Sequence, residues 1–299
     1  MIDKDAKAGK KFTGKAKKVS WERLWAFSGG PLSSTGWPKK NIHTDLEFAK
    51  SCGLPWVAAS ATQYMGYVIE LLIDLFGVRW LSHGQMDVKF INEVVNAGDI
   101  LIARAEVQSV DSRNDLTRFT LGVSCENQKG TAVLGGSAVG FGGKGNVPKS
   151  QPRVPTEVLP EADGRKTFNL EPFEFTVTPE LNQQYLFAEE DFHPWYIEQT
   201  EAGIPIVHPA LLLNMSNATR SPSYRLDSGQ AGIHARDETF FLNLARVGKK
   251  FRVTWEGIGY YEKRGRTYHM NRTRVVDEDG LEIMVRLAHG TIASRETSK

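Results

Sequence analysis

The second half of this 299-residue chain repeats the first at an offset of 150. Gly53-Leu54-Pro55 returns as Gly203-Ile204-Pro205, and Phe90–Gly98 (FINEVVNAG) as Phe240–Gly248 (FFLNLARVG). Met65/Met215, Asp87/Asp237, Glu106/Glu256, Gly130/Gly280 and Gly140/Gly290 keep the same spacing. A duplicated unit of this size limits the chain to two tandem copies of one domain. The order of helix, strand and turn landmarks carries the argument more than the identities do.

Each half opens with an irregular, His-bearing segment followed by a helix. In the first half the pattern predicts a helix over Ala58–Phe76, with Tyr64, Tyr67, Val68, Leu71, Leu72 and Leu75 at helical spacing and apolar residues on most sides. Such a helix is buried. In the second half a helix is predicted over Pro209–Thr219, with Pro209 in the first turn, where its missing N–H costs nothing. Four strand-like runs follow in each half: Met86–Ile91, Ile100–Val110, Leu116–Glu126 and Thr131–Phe141, then Ala235–Phe241, Lys250–Tyr261, Arg266–Val276 and Leu281–Ala293. Asn127-Gln128-Lys129-Gly130 and Asp277-Glu278-Asp279-Gly280 read as hairpin turns. The expected class is α+β: two units, each a central helix wrapped by an antiparallel sheet, at 21–143 and 166–299. They pair edge to edge into one continuous sheet, which removes two open edges. A Pro-rich linker, 144–165, joins them.

Charge is unevenly placed. Residues 1–20 hold seven Lys and two Asp, a local +5 inside a net charge of +2. The body is therefore slightly acidic, no nucleic-acid partner is expected, and residues 1–20 read as a solvated arm. Cys52 and Cys125 lack partners at metal-ligand spacing, and no His, Cys or carboxylate pattern fits zinc, so neither a metal nor a redox cofactor is expected. The longest apolar stretch, Val57–Phe76, is broken by Gln63, Glu70 and Asp74, so no membrane span is expected. Met1–Trp21 has no apolar signal-peptide core, and cytoplasm is the expected compartment.

The run Asn41-Ile42-His43-Thr44-Asp45-Leu46-Glu47-Phe48-Ala49-Lys50, then a Gly, a helix, Val88-Lys89-Phe90-Ile91 and Ala97-Gly98-Asp99, resembles the MaoC-like family. Asp191-Phe192-His193-Pro194-Trp195-Tyr196 and Ile206-Val207-His208-Pro209 resemble it again in the second half. The resemblance implies a double hotdog fold and an (R)-specific enoyl-CoA hydratase or dehydratase activity. It also implies a small acyl substrate linked to CoA or to a carrier, and assembly as a homo-oligomer, a dimer. In that chemistry an Asp and a His five residues later activate water and protonate the α-carbon. A backbone N–H at the helix N-terminus holds the thioester oxygen.

Both halves depart from the motif. His43 is present, but Pro38 stands where the Asp belongs. Asp191 is present, but Tyr196 stands where the His belongs and His193 replaces the Asn. The repeat offset aligns His43 with His193, whereas the motif aligns it with Tyr196. Three repairs stay open: Asp45 serving His43, with helix capping as its ordinary role; His43 acting with Asn41 and Lys40; or Asp191 acting with His193, assisted by Tyr196. The expected working site is His43 with Asp45, the second half building the tunnel. Lys40, Asn41, Trp195, Tyr196 and His208 are expected at the substrate. The dense aromatics Phe187, Phe192, Trp195, Tyr196, Trp21, Trp25, Trp37 and Trp56 suit either packing or a bulky acyl pocket. A lyase or cyclase acting on a non-thioester, possibly aromatic, substrate, a thioesterase, and a non-catalytic ligand-binding protein remain alternatives, since a fold does not fix a function.

Overall fold

A computed structural model describes residues 2, 6–29, 40–147, 170–198, 203, 205–225 and 230–294. The linker's prolines, together with Trp37 and Pro38, lie outside the described residues. Helices are α1 (Trp21–Ser28), α2 (Leu46–Ser51), α3 (Ala61–Phe76), α4 (Trp80–His83), α5 (Pro179–Glu189) and α6 (Pro209–Met215). Strands are β1 (Lys11–Lys18), β2 (Gln85–Phe90), β3 (Ile100–Arg113), β4 (Leu116–Asn127) and β5 (Ala132–Gly143), then β6 (Leu170–Thr176), β7 (Gln230–Phe241), β8 (Lys250–Lys263), β9 (Arg266–Asp277) and β10 (Glu282–Ser294).

All ten strands form one antiparallel sheet in the order β1-β3-β4-β5-β2-β7-β10-β9-β8-β6. The order is a palindrome about the β2–β7 seam, as two edge-paired copies require. Across that seam Arg236 makes two 2.7 Å hydrogen bonds to the Asp87 carboxylate. The sheet curls around α3, which buries Met65, Val68, Ile69 and Leu72 completely. Burying such a side chain contributes roughly 1.5–3 kcal/mol each, so the helix and the sheet stabilise one another.

The two copies share key backbone hydrogen bonds. Val19 N–H donates to Asp99 O as Val177 N–H does to Lys249 O, and Ala59 N–H donates to Val95 O as Val207 N–H does to Ala245 O. Ser20 caps α1 as Thr178 caps α5.

Three expectations need correction. Lys11–Lys18, read as part of a solvated arm, is an edge strand paired with β3. The lysines hid it: an edge strand leaves most of them in water, while Lys17 turns inward and is buried. Helix α3 starts at Ala61, not Ala58, because Ala58 and Ala59 are extended and donate to Ile42 O and Val95 O. Helix α6 stops at Met215, and a separate 3-10 turn spans Ala218–Arg220. Four further elements were not assigned from the sequence: α1, α4, and β6 and α5, the second-unit equivalents of β1 and α1.

Candidate active site

The copies settle the register of the two motif loops. Ala58 N–H donates to Ile42 O in the first unit, and Ile206 N–H donates to Trp195 O in the second. Thr44 N–H and Asp45 N–H both donate to Asn41 O, as Ile197 N–H and Glu198 N–H donate to Pro194 O. His43 therefore corresponds to Tyr196, as the motif has it, and not to His193.

In the first loop, His43 is half-buried and its Nδ1 lies 2.7 Å from Ala58 O. A carbonyl only accepts, so Nδ1 carries the proton and Nε2 is the basic nitrogen. Burial pulls this imidazole down to about 4; the Ala58 carbonyl opposes that, and the Arg220 guanidinium from the second unit adds to it. Arg220 is itself fully buried and donates to Asn214 Oδ1 at the end of α6. The Asp45 carboxylate is engaged at the start of α2. Its Oδ1 accepts from Phe48 N–H at 2.8 Å as the N-cap of α2, and its Oδ2 lies 3.6 Å from exposed Lys40 Nζ. Asn41 braces the loop, accepting from His43 N–H and donating to Ser28 O. Capping explains both Asp45 and its spacing to Phe48.

The second loop places more acid–base chemistry together. Asp191 Oδ2 lies 3.2 Å from His208 Nε2, and both side chains are buried. His208 caps α6: its Nδ1 accepts from Ala210 N–H at 3.2 Å. The proton is thereby fixed on Nε2, which donates to Asp191. Burial pushes the Asp191 carboxyl upward, but the His208 hydrogen bond, with the Lys17 charge and the His193 N–H, wins and holds it below the ordinary carboxylate value. His193 N–H donates to Asp191 Oδ1 at 3.3 Å, and His193 Nδ1 accepts from Trp195 N–H at 3.3 Å, leaving a proton on Nε2. Tyr196 is buried, with its ring 4.8 Å from His208 and a phenol oxygen that has no hydrogen-bond partner among the described residues.

Asp191 and His193 line a cleft of about 370 Å³ with Lys15, Glu70, Ile73, Asp74, Glu190, Phe192 and Pro194. First-unit strand β1 and helix α3 thus form one wall of the second-unit site. Tyr196, Trp195 and His208 stand behind the wall and not on it. Helix starts differ too: Pro209 supplies no N–H where the first unit has Ala61. Among the described residues, no group of three or more His, Cys, Asp or Glu is arranged to hold a metal ion. None of the helices there is long and apolar enough to cross a membrane.

Fold and site geometry together define a double hotdog protein. A structure described as a putative MaoC domain dehydratase from Chloroflexus aurantiacus superposes with a TM-score of 0.72 at 13% identity, covering 99% of this chain and 98% of that one. A Mycobacterium tuberculosis protein described as having a double hotdog fold gives 0.64 at 13%, covering 97% of each chain. A MaoC-like dehydratase from Phytophthora capsici gives 0.56 at 14%, over 98% of this chain and 97% of that one. No family model and no curated protein sequence matches the chain. The architecture is therefore that of the MaoC-like dehydratases, as the motif resemblance implied, and at these identities the likeness is one of fold.

Proposed function

We propose that the protein is a hydratase or dehydratase that adds or removes water at an α,β-unsaturated acyl thioester, and that the second-unit cleft is its reaction site. The observation that carries this reading is the Asp191–His208 pair, 3.2 Å apart, at the wall of an open cleft. In hydration the Asp191 carboxylate takes a proton from water as the water oxygen bonds to the β-carbon. The π electrons move to the thioester oxygen, and Asp191 returns the proton to the α-carbon, so one carboxyl serves as base and then acid. His208 stays behind Asp191 and orients it. His193 Nε2–H is the donor for the oxygen on which enolate charge develops, a role that Pro209 cannot fill.

The experiment is to follow the loss of conjugated-thioester absorbance with crotonyl-CoA and longer enoyl-CoA compounds. Turnover by the wild-type protein, abolished in Asp191→Asn, supports the reading. Full turnover in Asp191→Asn with loss in His43→Ala would move the reaction to the first unit. That second reading rests on the place of His43 in the first-unit motif loop, its Nδ1 held by the Ala58 carbonyl. No turnover with any enoyl thioester would remove the hydratase reading. Localisation in the cytoplasm and assembly of the chain into a dimer belong to the same proposal, supported by the kinship of fold alone.

A further inference from the structure

The two edges of the sheet are pseudo-equivalent, yet they carry opposite charge. Residues 6–20, comprising β1 and its flanks, hold six lysines and no carboxylate. Lys7, Lys10, Lys11, Lys15 and Lys18 are exposed. Opposite edge β6 holds Glu171 and Glu174 and no lysine.

Charged edges commonly block strand-to-strand aggregation. That purpose accounts for β6, where Lys250 and Arg252 of β8 neutralise Glu174. It does not account for β1. Glu106 partners Lys11 at 3.6 Å, and Glu70 partners Lys15 at 2.9 Å. Among the described residues Lys7, Lys10 and Lys18 form no ion pair with a carboxylate, Lys10 lying over the Phe12 ring and Lys18 having only the exposed Glu22 near it. The strip is eight strand residues long, about 26 Å at 3.3 Å per residue, and it runs past the cleft, one wall of which is Lys15.

The cleft itself has the other sign. Glu70, Asp74, Glu190 and Asp191 line it against Lys15 and His193. Such a lining repels the several phosphates of a nucleotide handle, whereas the strip outside attracts an acidic protein surface. From this juxtaposition we propose that β1 is the docking surface for an acidic carrier protein that presents its acyl thioester to the cleft. The proposal rests on the hydratase reading for what happens next, but not for the docking step.

The test uses a purified acidic acyl carrier protein, with and without a crotonyl group, and the full chain. Binding of the acyl-free carrier, followed by fluorescence anisotropy, needs no turnover, so its outcome is independent of the reaction. Binding should weaken about tenfold or more in Lys7→Glu/Lys10→Glu/Lys18→Glu, and should weaken with salt. With crotonyl carrier, KM should rise similarly with kcat unchanged, while KM for crotonyl-CoA moves little. Thermal unfolding and a Glu171→Lys control on β6 report on fold and on general charge effects. Unaltered carrier binding in the triple variant overturns the proposal. An equal loss with crotonyl-CoA and crotonyl carrier also overturns it, assigning the strip to phosphate recognition.

Discussion

The carboxyl of Glu189, in the last turn of α5, rests against the bare Cα of Gly66 on α3: a methyl at Gly66 would stand 2.2 Å from Glu189 Oε2 and 2.9 Å from Ala210 Cβ. This contact locks the two units together, α5 and α6 of one against α3 of the other. Both Glu189 oxygens are buried without a hydrogen-bond partner among the described residues.

Burial raises the Glu189 carboxyl well above its usual value; Glu70 and Asp191 add to this, and Lys17 opposes it. A carboxyl that binds its proton more tightly folded than unfolded stabilises fully below the unfolded value, near 4.5. That contribution is lost as pH rises towards the folded value. Glu189→Gln should therefore unfold at the same temperature as wild type in acid and at a progressively higher one in alkali. Parallel melting curves across pH would show that the carboxyl is not held neutral. Gly66→Ala, which has no room for its methyl, should be destabilised by about 1–3 kcal/mol at every pH.

Glu190, the next residue, caps α5 with φ +53°, in the left-handed region that favours glycine. Its carboxylate pairs with Arg23 at the surface, where such pairs contribute little. Glu190→Gly should exceed Glu190→Ala in stability by about 1 kcal/mol, because both lose the pair and only glycine relieves the backbone. Equal denaturation midpoints would mean that the loop stores no strain there.

Much of this fold could be read from the sequence because strands in a repeated unit are punctuated by the same turns. The hairpins at Asn127–Gly130 and Asp277–Gly280 fix the register of β4–β5 and β9–β10, and the strands lie within a few residues of their expected bounds. What stayed hidden were the edge strands β1 and β6 and the helices α1, α4 and α5. The lysine-rich edge strand offers no apolar face to read, and in LEPFEFT the alternation of Phe173 and Phe175 is short and interrupted by Pro172. The site was legible in part. Asp191 and His193 stood out through the motif, yet their joining to Lys15, Glu70 and Asp74 depends on the sheet closing around both units. His208 was expected at the substrate, but its pairing with Asp191 was not legible, because Asp191 lies 17 positions back across a loop. The spacing of Asp45 to His43 suggested catalysis, whereas the nearer Phe48 N–H claimed the carboxylate.

For Asp45 the capping geometry gives a direct expectation. Asp45→Ala should cost about 1 kcal/mol of stability through the frayed start of α2 and leave kcat unchanged. A tenfold or larger fall in kcat, at a temperature where the variant is fully folded, would return Asp45 to the reaction.

The final prediction concerns the acid limb of the pH–rate profile. In this mechanism Asp191 must be ionised to accept the water proton. Its carboxyl lies below the ordinary value of 3.8 despite burial, because His208 donates to it. The acid limb of wild-type activity should therefore lie below that set by an ordinary carboxylate. Asp191→Asn should lose about 10²–10⁴-fold in kcat. His208→Ala removes the hydrogen bond but leaves the carboxyl buried, so desolvation is no longer countered. The acid limb should then move upward by about one unit or more, with a smaller fall in the plateau rate. His208→Gln, which keeps a donor near the carboxylate, should bring the limb part of the way back. If the limb stays in place in His208→Ala while the plateau falls, His208 acts through the packing of α6 and not through the charge on Asp191.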